Sequence, residues 1–335
     1  MKKLIFITLA ILLVLFSIIS CGKKVGAPKA GSAKALDMLT LLPKEASGIF
    51  IVDIHRALTT EIANKAIKED KNNQKYQEFV KESGIDPQKD IFFIAAAITG
   101  EVGGMKQQAV GVVNLKYDKN LLLDKMKKSG KGIKEEVYNG VTIYSSQGAE
   151  EAKKPPAGAF LDESNIVIGN ESGVKTVVDI YQKKKENVLK NEPLSALIKT
   201  ANKDALVWSV FSIPKEATQK AAAQNPMLKN LESITSLSLY FDYRDKSILA
   251  EIKAMSPDEN KNKQIVDLLN GVKAMGSMAS TKDPNLGELL NRIEISSTAD
   301  QVKISANIPE DLINKLKESA AKKLEEKLGQ KPKED

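Results

Sequence analysis

SITSLSLYFDYRDKSILAEIKAM (233–255) predicts two β-strands joined by a turn at Arg244–Lys246. Three other stretches have the same strand–turn–strand pattern: KEEVYNGVTIYSS (134–146), AGAFLDESNIVIGN (157–170) and RIEISSTADQVKISANI (292–308). In the first of these three, Asn139-Gly140 is the pair that favours a type I′ hairpin turn. Strands joined by such short turns run antiparallel. The sequence therefore predicts a chain built on antiparallel sheet.

Helical stretches separate the predicted strands in a recurring order. Each half of the chain contains a strand, a helix, a strand pair, a helix, hairpin strands and a closing helix, first over residues 36–200 and then over 201–328. Hairpins with helices grouped after them favour helices segregated to one side of an antiparallel sheet. We therefore expect an α+β fold with antiparallel sheets, helices packed on one face, and an internal duplication of a β-α-β-β-α-β-β-α unit.

The first twenty residues have the composition of a secretory signal peptide. Lys2 and Lys3 precede an apolar run of sixteen residues, Leu4–Ile19, and the small residue Ser20 follows. An uncleaved membrane anchor is the alternative, but a spanning helix needs about 20 apolar residues. Residues 1–20 are therefore predicted to be removed on export.

The end of this leader, Ile18-Ile19-Ser20-Cys21, resembles the lipobox of bacterial lipoproteins. That resemblance implies cleavage between Ser20 and Cys21 and attachment of a diacylglyceryl group to the Cys21 thiol, with further acylation such as palmitate. Gly22 stands where the inner-membrane retention signal of enteric lipoproteins has Asp. The resemblance thus implies the outer membrane in a two-membrane cell, and otherwise the outer leaflet of the cytoplasmic membrane.

Two low-complexity segments flank the predicted body. Residues 21–35 combine Gly, Ala, Ser, Pro and Lys with little to bury, which is typical of a flexible tether. Residues 329–335 are predicted to be a disordered tail.

Short motifs in the body resemble a loosely defined family of exported bacterial proteins of unknown function that carry two such halves. They are Leu41-Leu42-Pro43, the strand through Ile49–Ile54, and the hairpin at Asn139-Gly140-Val141. The resemblance supports the expected fold and implies no activity.

Charge and cysteine content exclude several classes of protein. The formal net charge is +7, yet Arg56, Arg244 and Arg292 are the only arginines, so lysine supplies nearly all of the positive charge. Arginine is the preferred residue for bidentate recognition of phosphates and bases, so we expect no nucleic-acid partner. Cys21 is the only cysteine, and the body therefore cannot form an internal disulfide.

Residues able to carry catalysis are sparse. His55 is the only histidine, which excludes multi-histidine metal sites and most hydrolase triads. Ser-x-x-Lys occurs at Ser20/Lys23, Ser172/Lys175, Ser212/Lys215 and Ser319/Lys322, about as often as chance predicts. No P-loop or EF-hand spacing is present. The sequence predicts no catalytic residue, no metal site and no cofactor.

LLNGVKAMGSMAS (268–280) leaves two interpretations open. It is either a helix packed on a sheet through small residues, or a methionine surface that adapts to apolar ligands. Trp208 lies in the middle of a predicted strand and is expected to be core.

Three functional hypotheses follow. The first is a membrane-anchored lipoprotein with a non-catalytic binding or scaffold role in the cell envelope, whose partner is an envelope protein or a lipid. The second is a carrier of lipids or apolar peptides with a cavity between sheet and helices. The third is a hydrolase that uses carboxylates or a Ser–Lys pair.

Overall fold

The structure is a computed structural model that describes residues 31–100, 108–128, 132–146, 156–224, 226–280 and 283–329. The predicted cleavage site at Ser20 and Cys21, most of the tether, and the tail beyond Gly329 lie outside the described residues. The described part contains twelve α-helices and twelve β-strands.

The strands are β1 (Ala46–Asp53), β2 (Ile91–Thr99), β3 (Gln108–Leu115), β4 (Ile133–Tyr138), β5 (Val141–Ser146), β6 (Pro156–Phe160), β7 (Asn165–Asn170), β8 (Val207–Ser212), β9 (Ser236–Arg244), β10 (Ser247–Met255), β11 (Ile293–Ser297) and β12 (Gln301–Pro309). The helices are α1 (Gly31–Leu39), α2 (Ile54–Thr59), α3 (Glu61–Lys68), α4 (Asp70–Ser83), α5 (Pro87–Asp90), α6 (Lys119–Lys128), α7 (Glu171–Tyr181), α8 (Glu192–Thr200), α9 (Lys215–Gln224), α10 (Glu259–Ala279), α11 (Pro284–Asn291) and α12 (Glu310–Gly329).

All twelve strands belong to one antiparallel sheet, in the order β11-β12-β10-β9-β8-β1-β2-β3-β7-β6-β5-β4. The α+β class is confirmed. The two halves share this sheet, because β1 and β8, the first strands of the two halves, pair directly with each other. A single sheet therefore runs through both halves of the chain.

The strand order repeats outward from that central pair. The first half runs β1-β2-β3-β7-β6 and the second runs β8-β9-β10-β12-β11, so corresponding strands occupy corresponding places. The first half differs by one additional hairpin, β5-β4, at its edge. The recurrence read from the sequence is thus present in the strand order.

Two hairpin turns have left-handed backbone, which the sequence predicts at Asn139-Gly140. Asn139 and Gly140 have φ values of 49° and 78°, as a type I′ turn requires between β4 and β5. Asp245 and Lys246 have φ values of 49° and 57° between β9 and β10. Both turns hold the strands in the register that places alternate residues on opposite faces of the sheet.

One face, called face A, carries the main core over the first half. Ile49, Ile51, Ala95, Val112 and Val167 alternate onto this face and are buried. They pack with side chains of α1, α7 and α8, and with Trp208 and Val210 of β8. Trp208 is therefore a core residue, as expected.

The opposite face, face B, carries the core of the second half. Ala254 and Val302 are neighbours across β10 and β12 and pack against Ile265 of α10. Helices therefore cover both faces of the sheet, and the prediction of helices on one face is wrong. The sequence places apolar residues on both faces of several strands, and each apolar face requires its own cover.

Local boundaries differ from the sequence predictions at three places. Helix α1 begins at Gly31, so the last residues assigned to the tether are helical. The N-cap of α10 is Asp258, whose side chain accepts from the Lys261 backbone N–H at 3.0 Å. Helices α8 and α11 have no counterpart in the prediction, because each is short and begins at an Asn-Glu-Pro or Asp-Pro sequence that resembles a loop.

Two glycines are expected to respond to alanine in opposite directions. A Cβ atom at Gly48 of β1 would lie 2.2 Å from Cδ1 of Phe211 on the paired strand β8, whereas one at Gly271 of α10 would meet nothing within 4 Å. We expect Gly48→Ala to lower the free energy of unfolding by about 1–3 kcal/mol through overpacking. Gly271→Ala should raise it by up to about 1 kcal/mol because alanine favours helix. Urea denaturation measures both changes, and equal effects would contradict the packing described here.

Candidate functional site

A ladder of apolar side chains on face B is left incompletely covered. Leu239, Ile252, Ile304 and Ile295 lie side by side across β9, β10, β12 and β11. We call these four residues the Ile252 ladder. All are apolar, and three strand spacings of about 4.8 Å give the ladder a length of about 14 Å.

Burial along β10 locates the gap in the cover. Ile248, Ile252 and Ala254 project from the same face of this strand, but Ile252 is 37% exposed while Ile248 is 6% and Ala254 is 9% exposed. Ala254 is covered by α10, and Ile248 lines an apolar cavity with Leu58 and Ile62 of α2 and α3. The helices therefore close over both ends of the strand and leave its centre accessible.

The stretch 268–280, left open by the sequence, forms the second half of α10 and the residue after it. Its buried side contributes Leu269 to the core that covers Ala254. Its other side exposes Val272, Met275 and Met278 to solvent. Small residues do not all serve packing, since Gly271 has open space around it while Gly276 lies against Leu290 of α11.

A second cluster combines buried carboxylates with guanidinium groups near the junction of the halves. Asp242 of β9 is 1% exposed and its Oδ2 lies 2.5 Å from Nε of Arg244. Arg56 of α2 lies between Asp53 and Asp242, at 3.5 Å and 3.9 Å, and donates to the backbone carbonyl of Asp204. Arg56 thus connects the first half to β9, whereas Arg244 pairs with Asp242 within β9.

Asp53 is the unusual member of this cluster. Its Oδ1 caps α2 by accepting from the Arg56 backbone N–H at 3.0 Å, while its buried Oδ2 has no hydrogen-bond partner. Burial raises the pKa of the Asp53 carboxyl above its usual value, although hydrogen bonds and charge from Arg56 oppose the shift. The partners of the cluster are all internal, so its role is to hold α2 against the sheet.

Polar side chains elsewhere also have structural partners. The buried carboxylate of Asp179 on α7 accepts from Asn139 of the β4–β5 turn and from Tyr138, and lies 3.3 Å from Nζ of Lys185. A concavity of about 190 Å³ lies beside Lys185 and is lined by Glu45, Thr99 and Gln108 among others. Its lining contains one anion, Glu45, and one cation, Lys185, and no cluster of reactive groups.

The residues considered for catalysis are not brought together. Nδ1 of His55 lies 2.9 Å from the carbonyl of Gln88. Ser172 donates its hydroxyl to Gln108, whereas Lys175 contacts Glu171 and Glu136 at 2.6 and 2.7 Å. This serine and this lysine are therefore each occupied by other partners.

Within the described ranges, no group of three or more His, Cys, Asp or Glu side chains could hold a metal ion. No helix in that part of the chain is long and apolar enough to cross a membrane.

Comparison with known proteins places the chain in a family. The model of the family described as "Protein of unknown function (DUF3352)" matches residues 106–328. The chain belongs to this family. Its description assigns no activity, and no curated protein matches the chain.

Among solved structures, crystal forms of TP0453 are similar to the chain. Form III is 10% identical, with a TM-score of 0.47 over 83% of this chain and 96% of that chain. Form I is 11% identical, with a TM-score of 0.46 over 83% and 94%. Form IV is 10% identical, with a TM-score of 0.43 over 85% and 98%.

The Ile252 ladder could not be read from the sequence, because strand register and helix cover decide which apolar residues remain open. The alternation of Ile248, Ala250 and Ile252 along β10 was the available signal, and it predicts only a shared face. The 268–280 stretch was identified by its composition.

The two aspartates of the arginine cluster are expected to differ in their effect on stability. Asp242→Asn should lower the free energy of unfolding by about 2–4 kcal/mol, because it removes the buried charge that Arg56 and Arg244 face. Asp53→Asn should change it by no more than about 1 kcal/mol, because an amide oxygen can still cap α2.

The difference in stability between wild type and Asp53→Asn should also depend on pH, with a defined sign. Because the folded pKa of Asp53 is raised, its carboxylate costs stability above that pKa, and the cost disappears as the pH falls below the unfolded value of 3.8. Wild type should therefore gain stability relative to Asp53→Asn on acidification. Urea denaturation between neutral and acidic pH measures this difference, and a constant difference would contradict the argument.

Proposed function

We propose that the mature chain is a lipoprotein held on the membrane through acylated Cys21, and that its body is a non-catalytic protein that binds an apolar ligand on the Ile252 ladder. The chemical class that fits is an acyl chain. The observation that carries the proposal is the exposure of Ile252 at the centre of a strand whose ends are buried.

The anchor is supported by the sequence Ile18-Ile19-Ser20-Cys21 at the end of an apolar leader. One acyl chain gives only marginal membrane binding, and stable attachment needs two or more signals. The lipoprotein modification would supply them on Cys21. This modification accounts for the single cysteine of an exported chain.

Binding of an acyl chain is supported by the shape and chemistry of the ladder. Its four side chains carry no polar atom and lie in a row across the strands. Each methylene removed from water contributes about 0.8 kcal/mol, so a flexible apolar chain laid along the row gains from every carbon that it covers. An apolar peptide would bring backbone amides that the ladder cannot satisfy.

The anchor is tested by metabolic labelling with palmitate. We expect label on the wild-type chain and none on Cys21→Ser, because the thiol is the acceptor. Membrane fractionation of both proteins gives a second measurement. Equal labelling of wild type and Cys21→Ser would overturn the anchor.

Ligand binding is tested with a fluorescent fatty acid and the variant Ile252→Gln. Since Ile252 is partly exposed, we expect the variant to fold and to bind the fatty acid about tenfold more weakly, a loss of about 1.4 kcal/mol. The matched control is Val137→Gln, which replaces a 72% exposed apolar residue on the edge strand β4. It should bind as wild type does.

Native mass spectrometry of the protein purified from membranes provides an independent measurement. Retained lipid on wild type and less on Ile252→Gln is the expected result. Equal fatty-acid affinity for Ile252→Gln and Val137→Gln would contradict the assignment of the site to the ladder, and a bound apolar peptide would replace the acyl chain as the ligand.

A further inference from the structure

Three exposed apolar side chains mark the C-terminal part of α10 as a surface of its own. Val272, Met275 and Met278 are 53%, 64% and 76% exposed. We call residues 271–278 the α10 tip. Its single charged residue is Lys273, whose Nζ donates to the carbonyl of Ile293 at 2.6 Å. The tip therefore carries one charged residue, bonded to the backbone, in a chain of which 28% of residues are charged.

Contacts along α10 show that the tip lies past the start of the outer strand β11. Near its start, Asn262 donates to the carbonyls of Thr298 and Ala299, just past the end of β11. Farther along, Lys273 reaches Ile293, where β11 begins. Residues after Lys273 extend about 1.5 Å each past that point, so Met275 and Met278 lie beyond the first residue of the outer strand β11, while β12 beside it continues to Pro309.

The end of α10 packs closely against α11. Gly276 lies against Leu290 of α11, where an added Cβ would be 3.2 Å from Cδ1 of Leu290. Gly287 of α11 in turn lies against Ser280. The neighbouring helix exposes a further apolar residue, Leu286. The exposed apolar residues of the tip and Leu286 therefore belong to two helices that pack against each other.

The length of the tether limits how far the α10 tip can lie from Cys21. Ten residue steps separate Cys21 from Gly31, where α1 begins, and at about 3.6 Å each they span at most about 36 Å. Helix α1 packs on β1 and β2, and α10 packs on β11 and β12. Four strand spacings from β1 to β12 amount to about 19 Å. Because α1 lies on face A and α10 on face B, two packed layers of about 10 Å each add about 20 Å across the sheet. The combined separation of about 28 Å is still within the span of the tether, so the tip can lie at the surface that holds Cys21.

The net charge of the chain also favours contact with a lipid surface. The formal net charge of +7 becomes +5 when Lys2 and Lys3 are removed with the leader. A positive body is attracted to anionic phospholipid, and tethering raises the effective concentration of lipid at the tip. Methionine side chains adapt to an irregular apolar surface such as the boundary between headgroups and acyl chains.

We propose that the α10 tip is a second membrane contact, which inserts shallowly into the bilayer that carries Cys21. This inference rests on the lipid anchor of the proposed function. Two attachment points fix the orientation of the body, whereas one flexible tether leaves it free to rotate. Because α10 also borders the Ile252 ladder, that orientation holds the ladder close to the lipid surface.

The test uses the mature chain from Gly22, which contains every described residue and no cysteine. Met278→Cys supplies one thiol for an environment-sensitive fluorophore. The matched control is Gln264→Cys, an exposed position on the same side of α10 about four turns before Met278. With vesicles of phosphatidylcholine and phosphatidylglycerol, we expect a blue shift and quenching by spin-labelled lipid at residue 278, and neither at residue 264.

Equal responses at residues 278 and 264 would overturn the proposal. A blue shift at residue 278 without vesicles, increasing with protein concentration, would also contradict it, because a second copy would then cover the tip. Replacing Val272, Met275 and Met278 with Gln should lower vesicle binding of the unlipidated chain at least tenfold.

Failure of the tip and failure of the anchor are distinguishable. Palmitate labelling of the wild type reports on Cys21 alone. Label on Cys21 without a response at residue 278 rejects the tip and leaves the anchor in place. A response at residue 278 without palmitate keeps the membrane contact and rejects the anchor.

Discussion

The antiparallel pairing of β1 with β8 is the interaction on which the rest of the structure depends. It joins the two halves into one sheet, and it brings Trp208 and Val210 of the second half into the core of the first. The pair is close because Gly48 leaves room for the ring of Phe211 on face B. Arg56 reinforces the junction by reaching from α2 to Asp242 of β9. Without this pair, each half would carry an additional open strand edge.

Local features of the fold were predictable from the sequence, and long-range ones were not. The β4–β5 and β9–β10 hairpins follow from turn residues and strand composition within a few positions of Asn139 and Asp245. The pairing of β1 with β8 joins residues about 160 positions apart, and no local pattern encodes it. The helix cover depends in the same way on tertiary packing, which is why helices on both faces were missed. Short helices such as α11 were missed because Asp283-Pro284 is equally typical of a turn.

The candidate site was also only partly predictable from the sequence. Composition singled out the stretch 268–280, but register and burial were needed to separate its core side from its exposed side. The Ile252 ladder exists only because α10 and the helices near Ile248 leave a gap between them. Its residues are ordinary strand residues in sequence. The cluster of Arg56, Arg244, Asp53 and Asp242 likewise could not be predicted from the sequence, since Arg56 and Asp242 belong to different halves.

An open sheet can also add strands from other molecules at its two edges unless those edges are protected. Its two outer strands, β4 and β11, have backbone groups that could pair with a strand of another molecule. Strand β4 carries Lys134, Glu135 and Glu136 in succession, and β11 has only five residues, with Glu294 exposed among them. An incoming strand would have to bury these charges to extend the ladder. The sheet is thereby protected at both edges against polymerisation through strand addition.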